Sequence, residues 1–302
     1  MTRPKIIALV GPTASGKSSL GIFLAQKLGG EIISADSRQV YRGLDIGTGK
    51  VTKKEMARIP HYLLDIISPK KTFTASDFVE QGEKAIKKIL DHQNLPLVVG
   101  GTGLYADALL GRVNFPSVPP NPLLRARLEK KSVQELFALL KKKDSGRAET
   151  IEPKHKRRLV RALEIAEATK KNDAHKVKKI EINPFTYDVL WLGLNPSKEK
   201  LHKNIHIRLH SRIQGGMLAE AKRLHAQGLS YKRMEGLGLE YRSLARCLKK
   251  EISPIEMEEE LEHAIQKYAK RQMRWFKRNP EIHWIKNKSE ALGLAKEFLS
   301  GR

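Results

Sequence analysis

The chain has 302 residues, 40% of them hydrophobic, and one cysteine, so it can form a sizeable core, whereas a disulfide framework and a four-cysteine zinc site are excluded. Its formal net charge is +24, unevenly spread: residues 1–115 carry 16 basic and 10 acidic side chains, and residues 116–302 carry 41 and 23. No apolar stretch approaches the ~18 residues of a membrane span and the N-terminus has no secretory pattern, so we expect a cytoplasmic protein without a membrane partner.

A glycine-rich loop between a strand and a helix is the first feature along the chain. Residues 5–10 are a short apolar run typical of a buried strand, residues 11–18 read Gly-Pro-Thr-Ala-Ser-Gly-Lys-Ser, and residues 19–28 have a helical composition. This order predicts a phosphate loop, in which backbone N–H groups, a helix N-terminus and Lys17 surround an anion. Ser18 is the predicted Mg²⁺ ligand, because a bound diphosphate supplies further oxygens. The loop therefore predicts a diphosphate or triphosphate ligand and leaves its reaction open.

Strand and helix signals alternate through the next eighty residues. Apolar runs at 31–34 and 95–99 predict buried strands, and residues 75–90 have apolar side chains at helical spacing. Short strands separated by helices predict an α/β fold with a parallel sheet and right-handed crossovers. Ligands collect at the carboxyl ends of such strands, so we expect the phosphate loop, Asp36 and Thr102 to converge on one site.

Four prolines within residues 116–122 interrupt this pattern. Residues 123–169 are then helical and basic with little strand signal, and a lysine-rich stretch at 170–179 predicts an exposed connection. Residues 187–194 again predict a core strand, and long helices complete the chain. The break and the return predict a helical insertion within the α/β domain.

We place the α/β core at residues 1–115 and 184–302 and the helical insertion at 116–183. A late helix at 256–278 carries basic residues at three- and four-residue spacing beside an apolar stripe. A phosphate loop needs one or two cations, so the basic surplus beyond residue 115 favours a polyanionic partner, most simply a nucleic acid, over a solubilising surface.

Several segments together resemble the tRNA dimethylallyltransferase family. They extend over nearly the whole chain and comprise residues 11–18, 34–41, 45–50, 60–65, 73–78, 100–105, 157–164 and 270–276. The phosphate loop combined with Asp-Ser-Arg-Gln-Val-Tyr at 36–41 is specific to this family, whereas a phosphate loop alone is not. The resemblance implies a P-loop NTPase-like parallel sheet flanked by helices. It also implies transfer of a dimethylallyl group from dimethylallyl diphosphate to N6 of the adenine 3′-adjacent to the tRNA anticodon, with release of diphosphate.

The resemblance assigns roles to individual residues. It implies that Asp36 is the general base for the adenine amine. It further implies that Lys17, Thr102 and Arg212 stabilise the charge that develops on the departing diphosphate. Mg²⁺ is the implied cofactor, with Ser18 as its protein ligand. The implied diphosphate-binding residues are Gly11, Pro12, Thr13, Ala14, Ser15, Gly16, Lys17, Ser18 and Arg208.

A tRNA anticodon stem-loop is the partner that the resemblance implies, with the target adenine flipped out of its stack. The implied contact positions are Asp36, Ser37, Arg38, Gln39, Thr102, Arg125, Arg157, Arg158, Leu159, Val160, Arg161, Tyr241, Arg242, Lys270, Arg271 and Arg274. Most relatives have glycine before the tyrosine of a Gly-Tyr-Arg/Lys motif, where this chain has Glu240. We expect the added carboxylate to alter RNA affinity or sequence preference, and we expect a monomer.

Three other functions compete with this interpretation. A small-molecule kinase would need a second carboxylate for Mg²⁺-ATP, which the strand at 95–99 does not supply. An adenylate isopentenyltransferase would prenylate a free nucleotide, and that class lacks the long helical insertion. A non-catalytic RNA-binding protein is disfavoured by the intact Lys17, Ser18 and Asp36. Prenyl transfer to tRNA, tested beside AMP, separates these possibilities.

Overall fold

Parallel strands form the centre of the structure, a computed structural model that describes residues 3–113, 116, 118–170 and 186–301. The strands are β1 (Lys5–Val10), β2 (Gly30–Ser34), β3 (His61–Tyr62), β4 (Leu95–Gly100), β5 (Asp188–Leu194) and β6 (His283–Ile285). They form a six-stranded sheet in the order β3-β2-β4-β1-β5-β6, and each neighbouring pair is parallel. The predicted parallel α/β fold is confirmed.

Helices connect these strands and continue beyond them. The helices before the insertion are α1 (Lys17–Leu28), α2 (Lys53–Met56), α3 (Ala75–Asp91) and α4 (Gly103–Leu109). The insertion contains α5 (Pro122–Glu129), α6 (Val133–Lys143), α7 (Ser145–Thr150) and α8 (Lys156–Lys170). The later helices are α9 (Lys198–Gln214), α10 (Met217–Ala226), α11 (Tyr231–Gly236), α12 (Leu239–Leu248), α13 (Pro254–Phe276) and α14 (Lys288–Ser300).

Both faces of the sheet are buried, which explains why its central strands are continuous apolar runs. In β1, Ile6 and Ala8 face a cluster that includes side chains of α3 and α4. Ile7 and Leu9 face the opposite cluster, to which α1 and α14 contribute. A third cluster joins α9 through α13 to the segment after β2. Phosphate-loop chemistry is thus placed at the ends of rigid, fully buried strands.

The chain divides into two compact units, Met1–Val113 with Pro184–Arg302, and Asn114–Asn183. These limits lie within two residues of the predicted ones. The second unit has its own apolar cluster, centred on Leu136, Leu140 and Leu159. The predicted lysine-rich connection at 170–179 falls almost wholly outside the described residues. Within the described ranges, no helix has the length and apolarity that crossing a bilayer requires.

Candidate active site

The phosphate loop joins β1 to α1 as predicted. Gly11 has a φ of 148°, and a Cβ there would lie 2.8 Å from the carbonyl oxygen of Leu194, so both conformation and space require glycine. The hydroxyl of Ser15 is buried and makes no hydrogen bond within the described structure. A buried hydroxyl beside the free N–H groups at the start of α1 fits a site for phosphate oxygens.

Lys17, the first residue of α1, folds back over this loop. Its Nζ donates a hydrogen bond to the carbonyl oxygen of Pro12 at 2.6 Å. Burial, and after it the charge of Arg208, lower the pKa of Lys17 from 10.5 to about 7, while the carboxylate of Asp36 acts in the opposite direction. A polyanion bound in the loop would restore the protonated, cationic form.

Two arginines lie one turn apart on α9 and contact a single loop, residues 45–50. Nη2 of Arg208 donates to the carbonyl oxygen of Gly49 at 2.7 Å, and Nη1 of Arg212 donates to that of Gly47 at 3.0 Å. Desolvation of the Arg208 guanidinium and the nearby charge of Arg212 lower the pKa of Arg208. Nε of Arg212 is buried without a hydrogen-bond partner in the described structure. These cations are held close together against their mutual repulsion, a state that an anionic ligand stabilises.

Asp36 and Thr102 follow the ends of β2 and β4, and a hydrogen bond cross-links their segments. Oδ1 of Asp36 accepts hydrogen bonds from the backbone N–H groups of Arg38 at 2.8 Å and Gln39 at 3.3 Å. Oγ1 of Thr102 accepts from the N–H of Ser37 at 3.1 Å. The carboxylate therefore has a fixed orientation at the carboxyl edge of the sheet, where the phosphate loop also lies.

A cavity of about 390 Å³ occupies this edge. Lys17, Ser18, Asp36 and Arg208 line it, whereas Thr102 and Arg212 adjoin it through the contacts described above. Its apolar lining includes Ile32, Val51, Val99, Leu239 and Ile265. Cations, a carboxylate and apolar side chains around one small-molecule-sized space suit a ligand with an anionic head and an apolar tail.

The long helix α13 completes the site with two side chains, Gln272 and Tyr268, for which the sequence predicts no role. Gln272 accepts a hydrogen bond at Oε1 from the N–H of Thr13, and its Nε2 donates to the carbonyl oxygen of Gly101, both at 2.8 Å. It therefore ties the phosphate loop to the turn after β4. Tyr268 lines the cavity, and burial together with the charge of Asp36 raises the pKa of Tyr268 to about 12. In the sequence, only the hydroxyl of Tyr268 among the apolar residues of this helix could have indicated such a position.

A family model described as IPP transferase matches residues 39–279. This chain belongs to the IPP transferase family. It is 38% identical over 308 residues to the tRNA dimethylallyltransferase of Staphylococcus carnosus, covering 99% of this chain and 96% of that protein. It is 40% identical over 298 residues to tRNA dimethylallyltransferase 1 of Geotalea uraniireducens, covering 97% and 96%. The predicted family resemblance is confirmed.

Solved structures agree with this membership. The full-length tRNA isopentenylpyrophosphate transferase from Bacillus halodurans is similar with a TM-score of 0.72 and 32% identity, covering 99% of this chain and 96% of that chain. A eukaryotic dimethylallyltransferase acting on tRNA is similar with a TM-score of 0.82 and 25% identity, covering 99% and 80%.

The tRNA-contacting residues predicted for this IPP transferase family member lie in three kinds of place. Those lining the cavity are Asp36, Ser37, Arg38, Gln39, Arg242 and Arg271. Lys270 and Arg274 are exposed on α13, and Arg157 and Arg158 are exposed on α8. Arg125 and Arg161 both contact the buried carboxylate of Glu164, so part of their role is structural. Glu240 also lines the cavity, and its Oε1 lies 3.6 Å from Nη1 of Arg212.

Three of the residues predicted to contact tRNA have buried side chains. Leu159 is 0% exposed and Val160 is 6% exposed, because both pack into the apolar cluster of the insertion. Tyr241 is 1% exposed, and its hydroxyl donates to Oε1 of Glu220 at 2.6 Å. In each case a segment resembling an RNA-contacting motif also contains the residues that anchor it, and only the exposed members remain available to RNA.

Proposed function

We propose that this protein transfers a dimethylallyl group from dimethylallyl diphosphate to N6 of the adenine 3′-adjacent to the anticodon of tRNA. The carrying observation is one cavity that joins Lys17, Arg208 and Asp36 to an apolar lining. It offers charge for a diphosphate, an acceptor for a proton and apolar surface for a five-carbon group. Similarity over nearly the full length of relatives named tRNA dimethylallyltransferase supports the same activity.

The phosphate loop and the α9 arginines bind and activate the diphosphate. Negative charge on the diphosphate grows as the bond between its oxygen and the prenyl carbon breaks, so donors fixed in advance stabilise the transition state more than the ground state. Lys17, Arg208 and Arg212 are such donors, since backbone carbonyls orient all three. Thr102 supports the same site through its hydroxyl.

Ser18 fits the Mg²⁺ ion that we propose as cofactor. It is exposed, follows Lys17 in α1 and lines the cavity. The described residues contain no cluster of three or more His, Cys, Asp or Glu suited to a metal, so the remaining ligands would be diphosphate oxygens and water, as Mg²⁺ prefers. When bound, Mg²⁺ supplies positive charge to the diphosphate.

Asp36 acts as the general base for the attacking amine. Both backbone donors to Asp36 use Oδ1, so we assign Oδ2 to the proton of N6. As the new bond between N6 and the prenyl carbon forms, one N6 proton passes to Oδ2 and diphosphate leaves with the electron pair of the broken bond. The turn that fixes Oδ1 also holds Oδ2 in the direction of N6, so no conformational entropy is lost in orienting the carboxylate during the reaction.

The basic surplus beyond residue 115 supports tRNA as the acceptor. Exposed Arg157 and Arg158 on α8, with Lys270 and Arg274 on α13, supply phosphate contacts, and the helical insertion binds the anticodon stem-loop mainly through shape and backbone. We propose that the protein acts as a monomer. We place the reaction in the cytoplasm, with its tRNA substrate.

Asp36→Asn tests the assignment because its amide oxygen can still accept from Arg38 and Gln39. We expect single-turnover transfer of labelled dimethylallyl diphosphate to unmodified tRNA to fall by about 10²–10⁴-fold. Binding of tRNA should stay within about twofold of wild type, since the side chain keeps its shape. Asp91→Asn, an exposed position on α3, is the matched control.

Three results would contradict this proposal. Lost tRNA binding with unchanged turnover of the bound complex would remove Asp36 from the chemistry. Label appearing in AMP instead of tRNA would identify a nucleotide prenyltransferase, and no transfer to either acceptor would favour a kinase or an RNA-binding protein.

A further inference from the structure

The loop at residues 45–50 depends on one buried carboxylate. Oε2 of Glu220, in α10, accepts hydrogen bonds from the backbone N–H groups of Asp45 at 3.1 Å and Ile46 at 2.8 Å. Oε1 accepts from the N–H of Gly47 at 2.9 Å and from the hydroxyl of Tyr241 at 2.6 Å. Glu220 is 2% exposed, so these four donors replace its lost hydration.

The same loop faces the α9 arginines with its carbonyl groups. Gly47 thus donates its N–H to Glu220 and accepts from Arg212 at its oxygen, while the oxygen of Gly49 accepts from Arg208. A rigid peptide unit joins each N–H to the carbonyl of the preceding residue, so Glu220 fixes the three peptide units from Leu44 to Gly47. The carbonyl groups that the arginines contact belong to Gly47 and Gly49, in the peptide units that follow directly along the loop. The carboxylate and the arginines are therefore connected through one short stretch of backbone.

Tyr241 fixes this arrangement from the other side. A Cβ on Gly47 would lie 2.7 Å from the Tyr241 hydroxyl oxygen, so the ring packs directly on the loop backbone. Burial and the neighbouring carboxylate of Glu220 strongly raise the pKa of Tyr241, which keeps the hydroxyl a neutral donor. The buried tyrosine is thereby explained without an RNA contact.

We propose that Glu220, assisted by Tyr241, is a positioning residue that sets the direction of Arg208 and Arg212 toward the diphosphate. This role rests on the proposed function, because that function assigns both arginines to the diphosphate. Neither Glu220 nor Tyr241 lines the cavity, so their effect passes through the loop. Glu240, whose carboxylate lies near Nη1 of Arg212, is a second restraint on that arginine from α12.

The carboxylate at this position has no good substitute. An ionised carboxylate only accepts hydrogen bonds, whereas a glutamine amide turns two N–H donors toward groups that are themselves donors. In Glu220→Gln, either the pair Asp45 and Ile46 or the pair Gly47 and Tyr241 would face an N–H. We expect the loop to shift and the arginine carbonyl anchors to shift with it.

Isothermal titration of the full chain with Mg²⁺-pyrophosphate tests the role apart from turnover. We expect Glu220→Gln to raise the pyrophosphate Kd about tenfold and Tyr241→Phe to raise it about threefold, since the latter removes one hydrogen bond and keeps the ring. Glu297→Gln, exposed on α14, is the matched control with unchanged affinity.

A double-mutant cycle separates positioning from general destabilisation. If Glu220 acts through the arginines, adding Glu220→Gln to Arg212→Met should raise the Kd by less than about threefold. Equal effects in both backgrounds, or wild-type affinity in a folded Glu220→Gln variant, would overturn the role. If Glu220→Gln does not fold, an unchanged Kd for Tyr241→Phe overturns it. A wild-type protein that neither binds pyrophosphate nor transfers prenyl groups would instead refute the proposed function.

Discussion

Lys17→Met should stabilise the protein in the absence of ligand, and more at low pH than at high pH. The ammonium of Lys17 is crowded by protein atoms and by Arg208, which lowers its pKa from 10.5 to about 7. Below pH 7 the lysine is protonated in both folded and unfolded chains, so the folded state carries the full free-energy cost of burying a charged ammonium beside Arg208. Between pH 7 and 10.5 the unfolded chain binds more protons, so stability rises with pH through this window.

The size of the effect follows from the pKa change. At about 1.4 kcal/mol for each pKa unit, the fall to about 7 sets an upper limit near 5 kcal/mol. The side chain is half-buried and its ammonium keeps the Pro12 carbonyl as a partner, so we expect a gain of about 1–2 kcal/mol at pH 6. Met preserves the aliphatic stem while it removes the charge.

Urea unfolding of ligand-free protein at pH 6, 8 and 9.5 measures this difference, at about ±10–15% in the extrapolated free energy. Lys27→Met, exposed at the end of α1, controls for the loss of a surface lysine. A Lys17→Met variant that is less stable than wild type at pH 6, or whose advantage grows with pH, would refute the reasoning.

Other contacts give further expectations. Gln272→Leu removes both hydrogen bonds between the phosphate loop and the turn after β4, so urea unfolding should show a loss of about 2–3 kcal/mol; an unchanged midpoint would mean that the loop needs no such support. Arg125→Met leaves the buried carboxylate of Glu164 without its bidentate partner, and we expect about 2–3 kcal/mol of destabilisation by the same method. Weaker tRNA binding at full stability would instead make Arg125 purely an RNA contact. The hydrogen bond to Glu262, and then its charge, raise the pKa of His206, so this pair stabilises the fold below about pH 6.5 and ceases to do so as pH rises through the raised value. His206→Gln should flatten the stability profile there, and an unchanged slope would contradict the assignment.

The sequence predicted the framework of the site because its signals were local. The glycine loop, the runs at 5–10 and 95–99 and the polar residues after them follow chain-order rules, and the structure brings Lys17 and Asp36 to one cavity as expected. Strands β3 and β6 were not predicted, since two and three residues are too short to show a periodicity.

The residues whose burial or position the sequence did not predict depend on distant partners. Tyr241 was predicted to contact RNA, and its burial becomes evident only when α10 brings Glu220 against it. Glu220 itself has no motif, because what distinguishes it is a set of backbone donors about 175 residues earlier in the chain. Leu159 and Val160 lie between Arg158 and Arg161, and helical periodicity alone places them on the inner face of α8.

The strand order has a consequence for synthesis on the ribosome. When translation reaches Val113, the strands made so far can form β3-β2-β4-β1, with the apolar β1 as an open edge. Its second neighbour, β5, begins at Asp188 only after the insertion has been made, which takes roughly 4–15 s at ordinary elongation rates. An unpaired apolar edge invites pairing with other chains, so the nascent protein is most exposed to aggregation during this interval. The insertion thereby delays the pairing of β1 with β5. During this delay β1 is the segment that a chaperone would protect from pairing with other chains.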